Sequence, residues 1–175
     1  RWHILDWYFS GILNNVFTNS TLDLFTKGEF DFYLPAMANI SYKNYDAINS
    51  LDFIGLNYYS RWHVKGQLNL AEPFTFELRS QDIQTDMPYA IYPEGFYKAV
   101  KTIAKLNVPI IITENGIADN KDDRRSLFIK RYLYALFKTI EEGYDIQGYF
   151  YWSLMDNFEW AEGYTMKFGL YDVDF

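Results

Sequence analysis

Cysteine is absent from all 175 residues, which excludes a disulfide framework and any thiolate metal site. That absence fits a reducing compartment, and the cytoplasm is the expected setting. Histidine is nearly as scarce: His3 and His63 stand 60 residues apart and suggest no metal cluster. No run of 18 apolar residues occurs, so no membrane-spanning helix is expected. Lysine and arginine nowhere form a basic run, and a net charge of −7 argues against a nucleic-acid partner. The densest charge cluster, Lys121-Asp122-Asp123-Arg124-Arg125, mixes signs and reads as a solvated helix start. No signal peptide is expected in these residues: Arg1-Trp2-His3 opens into a helical pattern, as if cut from something longer.

Aromatic residues, by contrast, are abundant. Sixteen Tyr, 15 Phe and 5 Trp make 21% of the chain; aromatic rings add core and interface surface, and they also make flat platforms for ligands. The length suits one domain with a sizeable core. Three short apolar runs read as buried parallel strands: Phe53–Tyr59, Pro109–Glu114 and Gly148–Ser153. A helical segment from Trp2 to about Phe17 and a turn-rich stretch to Asp52 precede them. Between the strands, Pro93 fits a first helical position, followed by Phe96, Val100 and Ile103. A second helix shows Ile129, Tyr132, Leu133, Leu136, Phe137 and Ile140 on one face, with Gly143 placed to stop it. Alternating strands and helices predict an α/β fold with a parallel sheet.

Each predicted strand runs into polar or aromatic groups at its carboxyl end, where parallel α/β folds carry their sites. The connection from Tyr59 to Pro93 leaves such an end and is long enough to form a pocket wall. Glu114 closes an isoleucine-rich strand. Such a carboxylate either caps the following loop or serves chemistry that uses its charge. The run Tyr151-Trp152-Ser153-Leu154-Met155-Asp156-Asn157-Phe158-Glu159-Trp160 alternates large aromatics with hydrogen-bonding groups. A sugar offers the complement of that mixture, a C–H face for an indole and a rim of hydroxyls for a carboxylate. An aromatic strand and turn packed in a core fits the same run.

Leu51-Asp52-Phe53-Ile54-Gly55-Leu56-Asn57-Tyr58-Tyr59, Ile112-Thr113-Glu114-Asn115-Gly116, and Tyr151 through Tyr164 on to Phe168-Gly169-Leu170 together resemble glycoside hydrolase family 1. The resemblance runs through most of the chain from about Leu51. It implies part of a (β/α)8 TIM barrel, covering roughly its last three strands, in a single partial domain spanning 1–175. It implies a retaining β-glycosidase in which Glu114 is the nucleophile and Tyr59 donates a hydrogen bond to its carboxylate. Asn57, Trp152, Glu159 and Trp160 would bind the sugar, and Phe168 would lie beside its hydroxymethyl group. The implied partner is a β-glycoside substrate, and no cofactor is implied. The family's proton donor lies in an Asn-Glu-Pro motif that does not occur here. The resemblance therefore implies an incomplete site, awaiting a missing N-terminal barrel segment; without one, the chain would be a carbohydrate-binding or structural half-barrel. A three-stranded sheet left open would also expose Ile110–Ile112 and Tyr149–Tyr151.

Overall fold

The three predicted strands pair as one parallel sheet, with the Glu114 strand in the middle. The computed structural model describes residues 3–35, 37–69 and 71–175. In chain order its elements begin with α1 (Ile4–Asn14), a π-helical turn at Asn15–Asn19 and α2 (Ser20–Lys27). The hairpin strands β1 (Glu29–Leu34) and β2 (Ala38–Lys43) follow, then β3 (Ile54–Asn57) and a second hairpin, β4 (His63–Gly66) and β5 (Phe74–Glu77). The rest alternates: α3 (Pro93–Ile103), β6 (Ile110–Asn115), α4 (Arg125–Glu141) and β7 (Ile146–Tyr151). The chain divides into two compact units, one of residues 1–52, 62–77 and 105–108, the other of residues 53–61, 78–104 and 109–175.

The first unit holds α1, α2 and the two antiparallel hairpins. Helix extends to Lys27, well past the expected end near Phe17, because the π-helical turn carries the chain into α2 without a break. The expected start at Trp2 lies outside the described residues. Gly28 then ends α2 in the left-handed region, at φ +73°, and the chain turns into β1. What the sequence presents as a turn-rich stretch is therefore partly helix and hairpin. Its alternation in Glu29–Leu34 is hard to see because aromatics occupy both faces of the strand.

The second unit carries the parallel sheet, with α3 and α4 packed together. Phe96 and Val100 of α3, Ile110 and Ile112 of β6, and Phe128, Tyr132, Ala135 and Leu136 of α4 form the core. Tyr132 sits at its centre, stacked on Phe128 at 4.0 Å and tilted against Phe96 at 5.5 Å. Its hydroxyl accepts from the backbone N–H of Tyr92 at 2.9 Å. Pro93 does stand at the start of α3, and Gly143, at φ +89°, does end α4.

Three expectations need correction here. The buried face of α4 is Phe128, Tyr132, Ala135, Leu136 and Thr139, while Leu133, Phe137 and Ile140 are exposed. Both sets recur at helical spacing, so periodicity alone cannot choose between them. Ile110 and Ile112 are fully buried rather than exposed, because they alternate onto the face of β6 that packs in the core with α3 and α4; on the other face Ile111 is half-buried, and Phe150 of edge strand β7 is open at 62% exposure. The charge cluster before α4 is not simply solvated. Arg125 is buried, and Arg124 bonds both Asp86 and the buried Asp119.

Candidate active site

At the carboxyl ends of the three parallel strands the ladder is irregular. The pairing slips between Leu56 and Asn57 on one side of β6 and between Ile112 and Asn115 on the other. Bulges of this kind re-aim side chains at strand ends. Asn57 falls opposite Glu114 in the register, and its side-chain Oδ1 accepts from the Thr113 hydroxyl at 2.6 Å. Asn115, fully buried, ties all three strands: its amide donates to the Tyr58 carbonyl at 2.6 Å and accepts from the Tyr149 hydroxyl at 2.9 Å. Gly116 follows because the Trp152 carbonyl occupies the space of a side chain. A Cβ there would stand 1.8 Å from that oxygen.

Glu114, half-buried, accepts a hydrogen bond at 2.9 Å from the hydroxyl of Tyr59, which leaves the end of β3. Burial first, and then the carboxylate it serves, push the Tyr59 phenol well above the ordinary tyrosine range, so Tyr59 stays a neutral donor. From the end of β7 the chain runs to Trp152, whose backbone N–H is held by the Asn115 carbonyl at 3.0 Å. Burial raises the Glu159 carboxyl above its usual value; the Trp152 indole, a donor towards it, works the other way, and the Glu114 charge adds to the rise. Two carboxylates and an indole thus share one environment.

The stretch after Trp152 folds back on itself. Ser153 N–H donates to the Phe168 carbonyl at 3.2 Å, and Leu170 N–H to the Ser153 carbonyl at 2.9 Å. Buried Asp156 accepts from Gly169 N–H at 2.8 Å. This return places the Phe168 ring edge-on to Tyr59, with centroids 6.2 Å apart. At 3% exposure Phe168 is buried behind Tyr59. Trp160 is not gathered in with the others. It lies at 82% exposure, with the backbone in the left-handed region at φ +45°. Asn57, Tyr59, Glu114, Trp152 and Glu159 are brought together.

One residue escaped sequence reasoning. Tyr89, in the long connection before α3, has its ring 6.3 Å from that of Tyr59. Burial, and next the charge of Glu159, raise its phenol above the usual range. The length of that connection was the available signal; nothing in Met87-Pro88-Tyr89 singles out the tyrosine. Among the described residues no group of three or more His, Asp or Glu side chains could hold a metal ion, and no helix is long and apolar enough to cross a membrane.

The chain is 38% identical to a β-galactosidase of Pyrococcus woesei and 40% identical to β-glucosidase A of Thermotoga maritima, the matches covering 70% and 71% of the chain. It spans only 28% and 30% of those relatives' lengths. Among solved structures, a β-glycosidase from Pyrococcus horikoshii superposes with a TM-score of 0.82 at 37% identity, covering 97% of this chain and 39% of that one. The β-glucosidase of Thermotoga maritima does so with a TM-score of 0.79 at 31% identity, covering 99% and 43%. The glycosyl hydrolase family 1 model matches residues 2–175, and the chain belongs to that family.

Proposed function

We propose that this chain supplies the nucleophile and part of the sugar-binding surface of a retaining β-glycosidase, acting on terminal β-D-glycosides, β-glucosides foremost. Its three parallel strands are then a part of a (β/α)8 barrel in a single partial domain. The hydrogen bond from Tyr59 to Glu114, set among the carboxyl ends of those strands, carries the reading. Solved relatives from Thermotoga maritima hold galacto-hydroximolactam and glucoimidazole, which supports a sugar as the ligand of this site.

The reaction proceeds by double displacement. Glu114 attacks the anomeric carbon and the glycosidic bond breaks, giving a glycosyl–enzyme ester that water then hydrolyses. Tyr59 holds one oxygen of the attacking carboxylate, so the other is aimed at the sugar. Asn57, beside Glu114 in the register, binds sugar hydroxyls next to the reacting carbon. The Trp152 ring forms the floor beneath the sugar, and Glu159 accepts from two of its hydroxyls, with Trp160 at the rim. Phe168 keeps Tyr59 in place. A retaining enzyme needs a second carboxyl about 5–5.5 Å from the first to protonate the leaving oxygen. That donor comes from a polypeptide segment outside these 175 residues, and chain and segment together make the assembled enzyme. No step requires a cofactor.

Glu114→Ala in the assembled enzyme tests the assignment. Hydrolysis should fall to background, and turnover should return when azide, a small external nucleophile, is added, giving the glycosyl azide with inverted anomeric configuration. Unchanged hydrolysis by this variant overturns the reading.

A further inference from the structure

Arg125, the first residue of α4, is 8% exposed, and the five N–H donors of its guanidinium reach six acceptors, one N–H of Nη1 being shared between two of them. Nε donates to Asp122 at 2.7 Å. Nη1 donates to the carbonyls of Ile117 at 2.9 Å and Phe168 at 3.0 Å, and to the Tyr151 hydroxyl at 3.0 Å. Nη2 donates to the carbonyls of Asp119 and Lys167, each at 3.0 Å. Four of these acceptors are backbone carbonyls. Two belong to the turn that follows the Glu114 strand, two to the returning arm after Trp152, and Tyr151 ends β7. A planar fork of five donors can span three such segments; an ammonium, with three donors on one atom, cannot.

The contacts continue to the reacting carboxylate. Arg125 holds the Phe168 carbonyl, the Phe168 ring stands edge-on to Tyr59, and the Tyr59 hydroxyl holds Glu114. Packing alone does not call for a guanidinium here, because a buried charge costs more than an apolar side chain of similar volume. What an apolar residue could not do is satisfy those four carbonyls.

We propose that Arg125 is a positioning residue for the nucleophile, fixing the returning arm so that Phe168 holds Tyr59 against Glu114. The proposal rests on the reading of Glu114 as nucleophile. It is tested in the assembled enzyme by covalent labelling with 2,4-dinitrophenyl 2-deoxy-2-fluoro-β-glucoside. The leaving group of this reagent needs no proton donor, so its labelling reports attack by the carboxylate alone. Peptide mass analysis of the parent should find the label on Glu114. Arg125→Lys, which keeps the charge and loses the fork, should lower the limiting labelling rate by about 10- to 100-fold, the scale of a misplaced reacting group. The half-saturating reagent concentration should stay within about twofold, since the sugar contacts are untouched. In a Phe168→Leu background the same substitution should lose most of its effect, because the ring through which it acts is gone. Should Arg125→Lys fail to fold, Tyr151→Phe removes one acceptor of the fork and carries the same cycle, with a few-fold effect expected. Label on another parental residue overturns the nucleophile reading and this proposal with it. Label on Glu114 at the parental rate in Arg125→Lys, or effects that simply multiply across the cycle, overturns the proposal alone.

Discussion

Gly116→Ala puts one methyl group where the site is tightest. The added carbon would lie 1.8 Å from the Trp152 carbonyl oxygen and 2.8 Å from its carbon, whereas real Cβ contacts essentially never fall below 3.0 Å. The gap must therefore open by about 1.2 Å, the difference between 3.0 and 1.8 Å. Both obstructing atoms are backbone, so no rotamer change relieves them. The Trp152 N–H bond to the Asn115 carbonyl, 3.0 Å long, resists the movement, and Asn115 in turn ties the ends of all three parallel strands. Overpacking of this kind costs about 1–3 kcal/mol. A displacement near 1 Å at reacting groups costs on the order of 10² in rate. In the assembled enzyme, Gly116→Ala should lower the urea midpoint by an amount corresponding to about 2 kcal/mol and kcat/KM by about 100-fold. Gly11→Ala, at an exposed helical position with nothing within 4 Å, is the control and should raise stability by about 0.5–1 kcal/mol. A Gly116→Ala enzyme with parental midpoint and parental kcat/KM would refute the claim that the Trp152 carbonyl is fixed against this glycine.

Glu159→Gln should lower kcat/KM on a β-glucoside by about 100-fold, because on the proposed reading the carboxylate's bonds to sugar hydroxyls strengthen towards the transition state; steady-state kinetics within twofold of the parent would place Glu159 away from the sugar. Tyr132→Phe leaves the Tyr92 N–H without its 2.9 Å acceptor in the core and should cost about 1–3 kcal/mol in denaturant unfolding. Burial raises the Asp119 carboxyl, but its bonds from the backbone and side chain of Arg124 and the backbone of Arg125 outweigh that and hold it below the ordinary 3.8. A depressed carboxylate contributes stability that is present above 3.8 and lost as pH falls through the lower folded value. Asp119→Ala should therefore cost about 3 kcal/mol at pH 7. The deficit should shrink in unfolding curves taken at successively lower pH below 3.8, and a constant deficit would show that the charge plays no part.

How far the sequence could be read depended on whether the signal was local. The three strands were legible because each is a short β-branched or aromatic run between breakers, and their observed ends differ by only a few residues. Pro93 and Gly143 marked helix ends because their backbone constraints act within one turn. The face of α4 was not legible, since two sets of apolar residues share its period and only packing against α3 and β6 selects Tyr132 over Leu133. The first strand of the hairpin at 29–43 was missed because Tyr33 puts an aromatic on the face opposite Phe30 and Phe32 and blurs its alternation. Arg124 and Arg125 looked like surface charge because their acceptors lie as far away in sequence as Gln84, Asp86 and Phe168.

By itself the sequence determined the α/β class and the family. It also offered the residues that the proposed chemistry uses: Glu114 at a strand end, a tyrosine and an amide at another, and an indole followed by a carboxylate at the third. Only the tertiary structure decided how they act together. It set the Tyr59 hydroxyl on Glu114, put Phe168 behind that tyrosine, brought in Tyr89 from the long connection and left Trp160 in solvent. The physical reason lies in the range of the forces. Strand propensity and hydrophobic runs are written within a few residues, whereas a hydrogen bond between Tyr59 and Glu114, 55 positions apart, exists only once two bulged parallel strands lie side by side.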